Sequence, residues 1–227
     1  MQIFWRVALP ILSIVLLAFG SYLALFVVPR EVFMGDVYRI VFVHVPTAWM
    51  AMLAFTINFF ASIYYLLKSN AGADALAEAS AAVGVFFATL LLITGSIWGR
   101  PTWGVWWTWD PRLTTAAVMW MAFGGYLTLR KIVIDTHQRA IWSAVVAIII
   151  FVDIPLVWFS VKWWNSLHQV QSSASDLFVG MRLTLAVNAV AFLCIMVWLI
   201  YMRYILARRT HIRFLLPPVD DIDKDLK

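Results

Sequence analysis

The chain is dominated by apolar runs, and these limit its architecture more than any other feature. About 20 apolar residues cross a bilayer as a helix. Six segments approximate that length, at residues 7–28, 46–67, 81–98, 113–129, 141–160 and 183–206. A soluble domain is close to half apolar and a quarter charged, whereas this chain is 63% hydrophobic and 13% charged, with a mean hydropathy of +0.87. The expected fold is therefore an all-α polytopic membrane protein, with residues 1–227 forming a single six-helix membrane domain. The first run follows Arg6 as a signal sequence would. It is too long for a signal-peptide core and shows no small-x-small cleavage site, so it is expected to be retained.

An even number of spans leaves both termini on one side. That side carries 11 basic residues, among them Arg6, Lys68, Arg130, Lys131, Arg139 and Arg203, against six on the other. The positive-inside rule then places both termini in the cytoplasm and three connections outside, at 29–45, 99–112 and 161–182. The expected setting is a bacterial inner membrane with periplasmic loops. On the cytoplasmic side, 68–80 reads as a small-residue linker, 130–140 as a charged turn and 210–227 as a short polar tail. The net charge of +5 does not indicate nucleic acid, because no soluble stretch carries a basic face. Membrane lipid is the simpler neighbour of these cations. The one cysteine, Cys194, excludes an intrachain disulfide, a C-x-x-C pair and a C-x-x-C-H haem attachment site. No phosphate-binding G-x-x-x-x-G-K-[ST] run is present, so the chain reads as a non-enzyme whose ATP-driven work belongs to a partner.

The second outer connection concentrates the unusual chemistry. Five of the 13 tryptophans fall between Trp98 and Trp109. Tryptophan gathers at membrane surfaces because an apolar ring carries a polar N–H. That accounts for one or two rings per span end, not for Trp98, Trp103, Trp106, Trp107 and Trp109 around Gly99, Pro101 and Gly104. A dense aromatic surface suits a large, flat, apolar ligand. Arg100 and Arg112 bracket it and either snorkel to lipid phosphate or pair with ligand carboxylates. Asp110 either caps the following helix or orients a histidine through its second ring nitrogen.

Four histidines divide by side. His137 and His211 fall among cytoplasmic basic residues and read as solvated. His44 and His168 fall on the outer side with the tryptophans. Pro46 looks like the first-turn proline of the second span, which sets His44 at a helix mouth. If residues 163–168 are helical, Trp164 and His168 share a face. A lone interfacial histidine is more often a satisfied polar residue than a ligand. Two beside an aromatic platform fit a haem clamped by two imidazoles. Zinc lacks the further cysteine, histidine or carboxylate cluster it needs. Asp153, inside the fifth span and followed by Pro155, either lines a polar cavity, contacts a partner or is protonated and structural.

The segment Trp103-Gly-Val-Trp-Trp-Thr-Trp-Asp110 resembles the W-G-x-x-W-x-W-D signature of the WWD-domain haem-handling proteins of cytochrome c maturation. The size, the six-span plan, His44-Val-Pro, Arg112-Leu-Thr and Trp163-Trp-Asn-Ser-Leu-His168-Gln are similar to the CcmC family within that group. The resemblance implies a WWD loop at 98–112 and axial iron ligation by His44 and His168. The candidate haem-contacting set is Arg100, Trp103, Trp106, Trp107, Trp109, Asp110, Arg112, Trp163 and Trp164. It further implies transient, non-covalent haem b, delivery to the haem chaperone CcmE, and an ABC-type complex of CcmA, CcmB and CcmD. The rival readings are a quinol-linked electron-transfer cytochrome, which would place histidines on facing helices, and a haem-free permease or scaffold subunit.

Overall fold

The computed structural model describes residues 3–168 and 179–215, with side chains described as far as Arg208. Parts of the third outer connection (169–178) and of the polar tail (216–227) lie outside the described residues. The first apolar run forms a helix over Phe4–Val27, with a regular central stretch, α1 (Leu9–Tyr22), between wider turns. A short 3-10 turn over Asp36–Ile40 leads directly into α2 (Val41–Lys68). Then follow α3 (Ala71–Trp103), α4 (Pro111–Ile132), α5 (Thr136–Ile150), α6 (Asp153–Trp163) and α7 (Val179–Leu215). No β-strand occurs among the described residues, only an isolated bridge between Glu31 and Gly35.

Five stretches are long and apolar enough to cross a membrane: Phe4–Val27, Asp36–Lys68, Ala71–Trp103, Thr136–Trp163 and Val179–Arg208. The apolar run expected at 113–129 forms α4, which is not among them. Thr114, Thr115, Gly124, Gly125 and Thr128 dilute its hydropathy, and Arg130 and Lys131 close it. One face of this helix packs inward. Met119, Phe123 and Tyr126 are buried, and the Phe123 ring stacks on Phe55 of α2 at 3.6 Å.

Several helices extend beyond the apolar runs that announce them. The stretch 68–80 is no linker: α3 begins at Ala71, and the Asn70 side chain accepts the Ala73 N–H at 3.0 Å as its N-cap. Alanine-rich sequence is strongly helix-forming yet weakly apolar, which is why a hydropathy reading cuts the helix short. Only Ser69, with a left-handed φ of 48°, and Asn70 separate α2 from α3. Likewise α2 starts five residues before Pro46, so the proline lies inside the helix rather than opening it. His44 is correspondingly a helical residue. Beyond α6, Trp164 is extended (φ −128°, ψ 157°), so Trp164 and His168 share no helical face.

Interior polar groups tie the helices together, as expected where lipid supplies no competing hydrogen bonds. Asn58 Nδ2 donates to the Ala77 carbonyl at 2.8 Å, and Trp120 Nε1 to Thr89 Oγ1 at 2.8 Å. At one end of the bundle the Arg130 guanidinium, 4% exposed, forks onto Asp74 at 2.6 and 2.8 Å. The fifth apolar run breaks between α5 and α6. Pro155 lacks the N–H that would reach the Phe151 carbonyl, and Ile154 N–H takes it instead at 3.0 Å. Asp153 opens α6 at this break, and its Oδ2 is buried without a hydrogen-bond partner among the described residues.

Candidate functional site

The helix α3 does not stop where its apolar run ends. It continues through Gly99 and Pro101 to Trp103, and Gly104 ends it with a left-handed φ of 80° and an N–H donated to the Arg100 carbonyl at 3.1 Å. The tryptophan-rich stretch therefore has two parts. Trp98 and Trp103 ride on a helix, while Trp106, Trp107 and Trp109 lie on the short connection to α4. Asp110 caps α4 by accepting the Arg112 N–H at 2.9 Å.

At this end of the bundle one cavity is lined by His44, His168, Trp98, Trp107 and Arg112, with Gly95 behind His44. Trp98 neighbours both histidines, its ring centre 6.1 Å from His44 and 6.3 Å from His168. Trp103 packs edge-on against His168 at 5.0 Å and lies 5.9 Å from Trp98. The cavity combines two imidazoles, a guanidinium and indole rings with aliphatic walls, a lining suited to a largely apolar ligand that carries a few polar groups.

Local bonding leaves each imidazole with a defined presentation. Thr94 Oγ1 gives its single proton to the Leu90 carbonyl at 2.7 Å. Its contact with His44 Nδ1 at 2.9 Å must then run from the ring N–H to the hydroxyl oxygen. His44 is thereby held with Nδ1 protonated and Nε2 carrying the lone pair that a metal needs. Gly95, next along α3, makes room for the ring: a Cβ there would sit 3.1 Å from His44 Cε1.

His168 is placed from below by Asp110. The carboxylate accepts the Leu167 N–H at 2.7 Å and the Ser166 hydroxyl at 3.1 Å, and Ser166 Oγ in turn accepts the His168 N–H at 3.1 Å. Asp110 Oδ1 stands 3.6 Å from His168 Nδ1, within ion-pair range but too far for a hydrogen bond. Burial pushes His168 down to about 4, Arg112 adds to the effect, and Asp110 opposes it. The imidazole is therefore neutral at physiological pH, as a ligand must be. Burial raises Asp110, but the bonds from Leu167, Ser166 and Arg112 outweigh it and hold the carboxyl below its usual range. Among the described residues, Trp98 Nε1 and His168 Nδ1 are buried without hydrogen-bond partners, polar atoms that a ligand with acidic edges would satisfy.

The other residues singled out in the sequence lie around the cavity rather than in it. Trp106 and Trp109 are 59% and 82% exposed, and Trp109 meets Trp107 edge-on at 6.0 Å. Arg100 turns back to donate to the Gly104 carbonyl. Trp163 stacks on Phe159 at 5.2 Å and meets Trp164 at 6.0 Å, both half-exposed. Trp98, Thr94, Gly95 and Ser166 were absent from the candidate set. A helical projection signals the first two, since Thr94 and Trp98 are one turn apart on α3 and share a face. Ser166 shows no comparable pattern.

The comparison with known proteins bears on the same residues. The family model of heme exporter protein C (CcmC) matches residues 2–214. The chain is 36% identical over 191 residues to heme exporter protein C of Bradyrhizobium diazoefficiens, covering 82% of this chain and 72% of that protein. It is 34% identical over 197 residues to heme exporter protein C of Haemophilus influenzae, covering 85% and 80%. A putative cytochrome c biosynthesis ccmC-like mitochondrial protein of Marchantia polymorpha is 34% identical over 157 residues, covering 69% and 66%. The helices are those of an integral membrane protein, the match runs through both histidines and the tryptophan-rich stretch, and the chain belongs to the heme exporter protein C family, whose work is haem handling for cytochrome c maturation.

Proposed function

We propose that this protein holds haem b transiently between His44 and His168 and presents it to the haem chaperone CcmE at the periplasmic face of the bacterial inner membrane. In this reading α4 is the sixth span, both termini are cytoplasmic, and CcmA, CcmB and CcmD complete an ABC-type complex that releases the loaded chaperone. The observation that carries the reading is that residues 124 positions apart in sequence, His44 and His168, line one cavity, with Trp98 beside both.

The residues fit the cargo. Two neutral imidazoles suit haem iron. Trp98, Trp103 and Trp107 supply apolar faces for a macrocycle, and the Arg112 guanidinium suits a propionate. Bound haem supplies the reactive vinyl edge; the chain positions it and keeps part of the site open. Asp110 holds the His168 segment, Thr94 sets the tautomer of His44, and the exposed Trp106 and Trp109 form an aromatic surface on which a chaperone can dock.

The test is the visible absorption spectrum of the protein purified in mild detergent, beside His44→Ala and His168→Ala. The expected result is a low-spin haem spectrum in the wild type, converted to high-spin or lost in either variant. No haem in the wild type after haem is supplied, or a spectrum indifferent to both changes, would refute the reading.

A further inference from the structure

At the end of the bundle opposite the histidine cavity, a second recess opens between α3, α4, α5 and α7. Glu78, Arg130, Arg139 and Arg203 line it together with Leu206 and Ala207. Arg112 and Arg130 are carried by the same unbroken helix, so at helical rise the two sites are ~27 Å apart. This recess therefore belongs to the other end of the membrane-crossing helices.

Its charges do not cancel internally. The Arg130 fork is taken up by acids: Nη1 and Nη2 donate to Asp74, while Nε and Nη2 reach Glu78 Oε2 at 3.3 and 2.9 Å. Both carboxylates are thus engaged by Arg130. Arg139 and Arg203 have no carboxylate within ion-pair distance among the described residues. Arg139 Nε is moreover buried with no hydrogen-bond partner among them. A buried cationic N–H without an acceptor is costly, and water or a ligand oxygen must relieve it. Leu206, 56% exposed, continues the wall of the recess toward the apolar outer surface.

We propose that this recess binds a phosphate-bearing anion, with Arg139 and Arg203 as its ligands and Arg130 as a floor locked by Asp74 and Glu78. Guanidinium forks match phosphate oxygens in pairs. The anion is either the headgroup of an acidic phospholipid, whose chains would follow Leu206 outward, or a free phosphate.

The full-length protein, delipidated in a neutral detergent, is titrated with phosphatidylglycerol, with phosphatidylcholine and with inorganic phosphate while its unfolding temperature is read. Phosphatidylglycerol should raise that temperature saturably and phosphatidylcholine should not. Arg139→Gln and Arg203→Gln should each weaken the effect by about tenfold or more, the loss of a charge-assisted hydrogen bond. Arg208→Gln, which lies outside the recess, should leave it unchanged. A response to phosphatidylglycerol alone assigns the lipid headgroup, and an equal response to inorganic phosphate assigns a free phosphate; both support the site. No response to either acidic compound, or unaltered affinity in the two glutamine variants, overturns it. If Arg139→Gln fails to fold, the exposed Arg203→Gln decides alone.

Discussion

The carboxylate of Asp110 accepts the backbone N–H of Leu167 at 2.7 Å, which ties the tryptophan-rich connection to the segment carrying His168. One buried side chain therefore does two jobs, since the same group caps α4 through the Arg112 N–H. Replacing it with alanine leaves buried donors unpaired, at about 1–3 kcal/mol each. Asp110→Ala should release residues 164–168 and turn a low-spin haem spectrum high-spin, as losing His168 does. Asp110→Asn keeps one acceptor oxygen and should fall between the two. Spectra of haem-loaded Asp110→Ala indistinguishable from wild type would show that the tie is dispensable.

A hydroxyl sets the tautomer of His44. Thr94→Val removes the acceptor for Nδ1–H while keeping the volume, so the ring is free to protonate on Nε2 instead. Support of this kind is typically worth 10–100-fold in metal affinity. Haem titration should show Thr94→Val weakened by about that range and Thr94→Ser close to wild type. Equal affinities in all three would dismiss the role.

The depressed titration of His168 makes a statement about stability. In the unfolded chain the ring protonates near 6.5, and in the folded chain near 4. Between those values the unfolded state binds more protons, so stability present above pH 6.5 is lost as the pH falls toward 4. The side chain is only 14% exposed, and the loss is on the order of 3 kcal/mol. Haem-free wild type should lose thermal stability over this window more steeply than haem-free His168→Phe. Parallel curves would contradict the burial argument.

Trp107 and Trp109 touch each other but face different surroundings. Trp107 lines the cavity, and Trp109 is 82% exposed. Under the proposed function, Trp109→Ala should leave the haem spectrum intact and weaken capture by CcmE, whereas Trp107→Ala should disturb both. Pull-down of haem-loaded variants measures the difference. Undiminished capture by Trp109→Ala would remove the exposed rings from the docking surface.

Arg130 is held by Asp74 inside the bundle, and breaking one partner of such a pair costs about 3–5 kcal/mol because the other charge is left buried. Arg130→Met should lower the unfolding temperature in detergent sharply. Adding Asp74→Leu should restore much of it. A variant as unstable with both changes as with one would mean that the pair does more than neutralise itself.

The features legible in the sequence were those written locally. Apolar runs mark helices, a cluster of tryptophans marks one end of the bundle, and His44 and His168, singled out together, line one cavity. Composition at one scale hid the rest. Alanines after Asn70 form helix without raising hydropathy, so α3 looked shorter than it is. The glycines and threonines of α4 lowered its hydropathy although its buried face packs well. Pairings such as Asp110 with Leu167, or Arg130 with Asp74, join residues more than 50 positions apart. Nothing local distinguishes an arginine that closes a helix at the interface from one that folds back into the core. Gly99 and Pro101 suggest a loop that starts at Trp98, whereas the continued helix carries Trp98 on α3 beside both histidines.

The two-residue join at Ser69 and Asn70 also sets an order of events during synthesis. It makes α2 and α3 a tight hairpin that can enter the bilayer as one unit, and that hairpin already carries His44, Thr94, Gly95 and Trp98. His168 emerges from the ribosome later, by several seconds at about 5–20 residues per second. The residues of one wall of the cavity, on α2 and α3, are thus all synthesised before the second histidine is made.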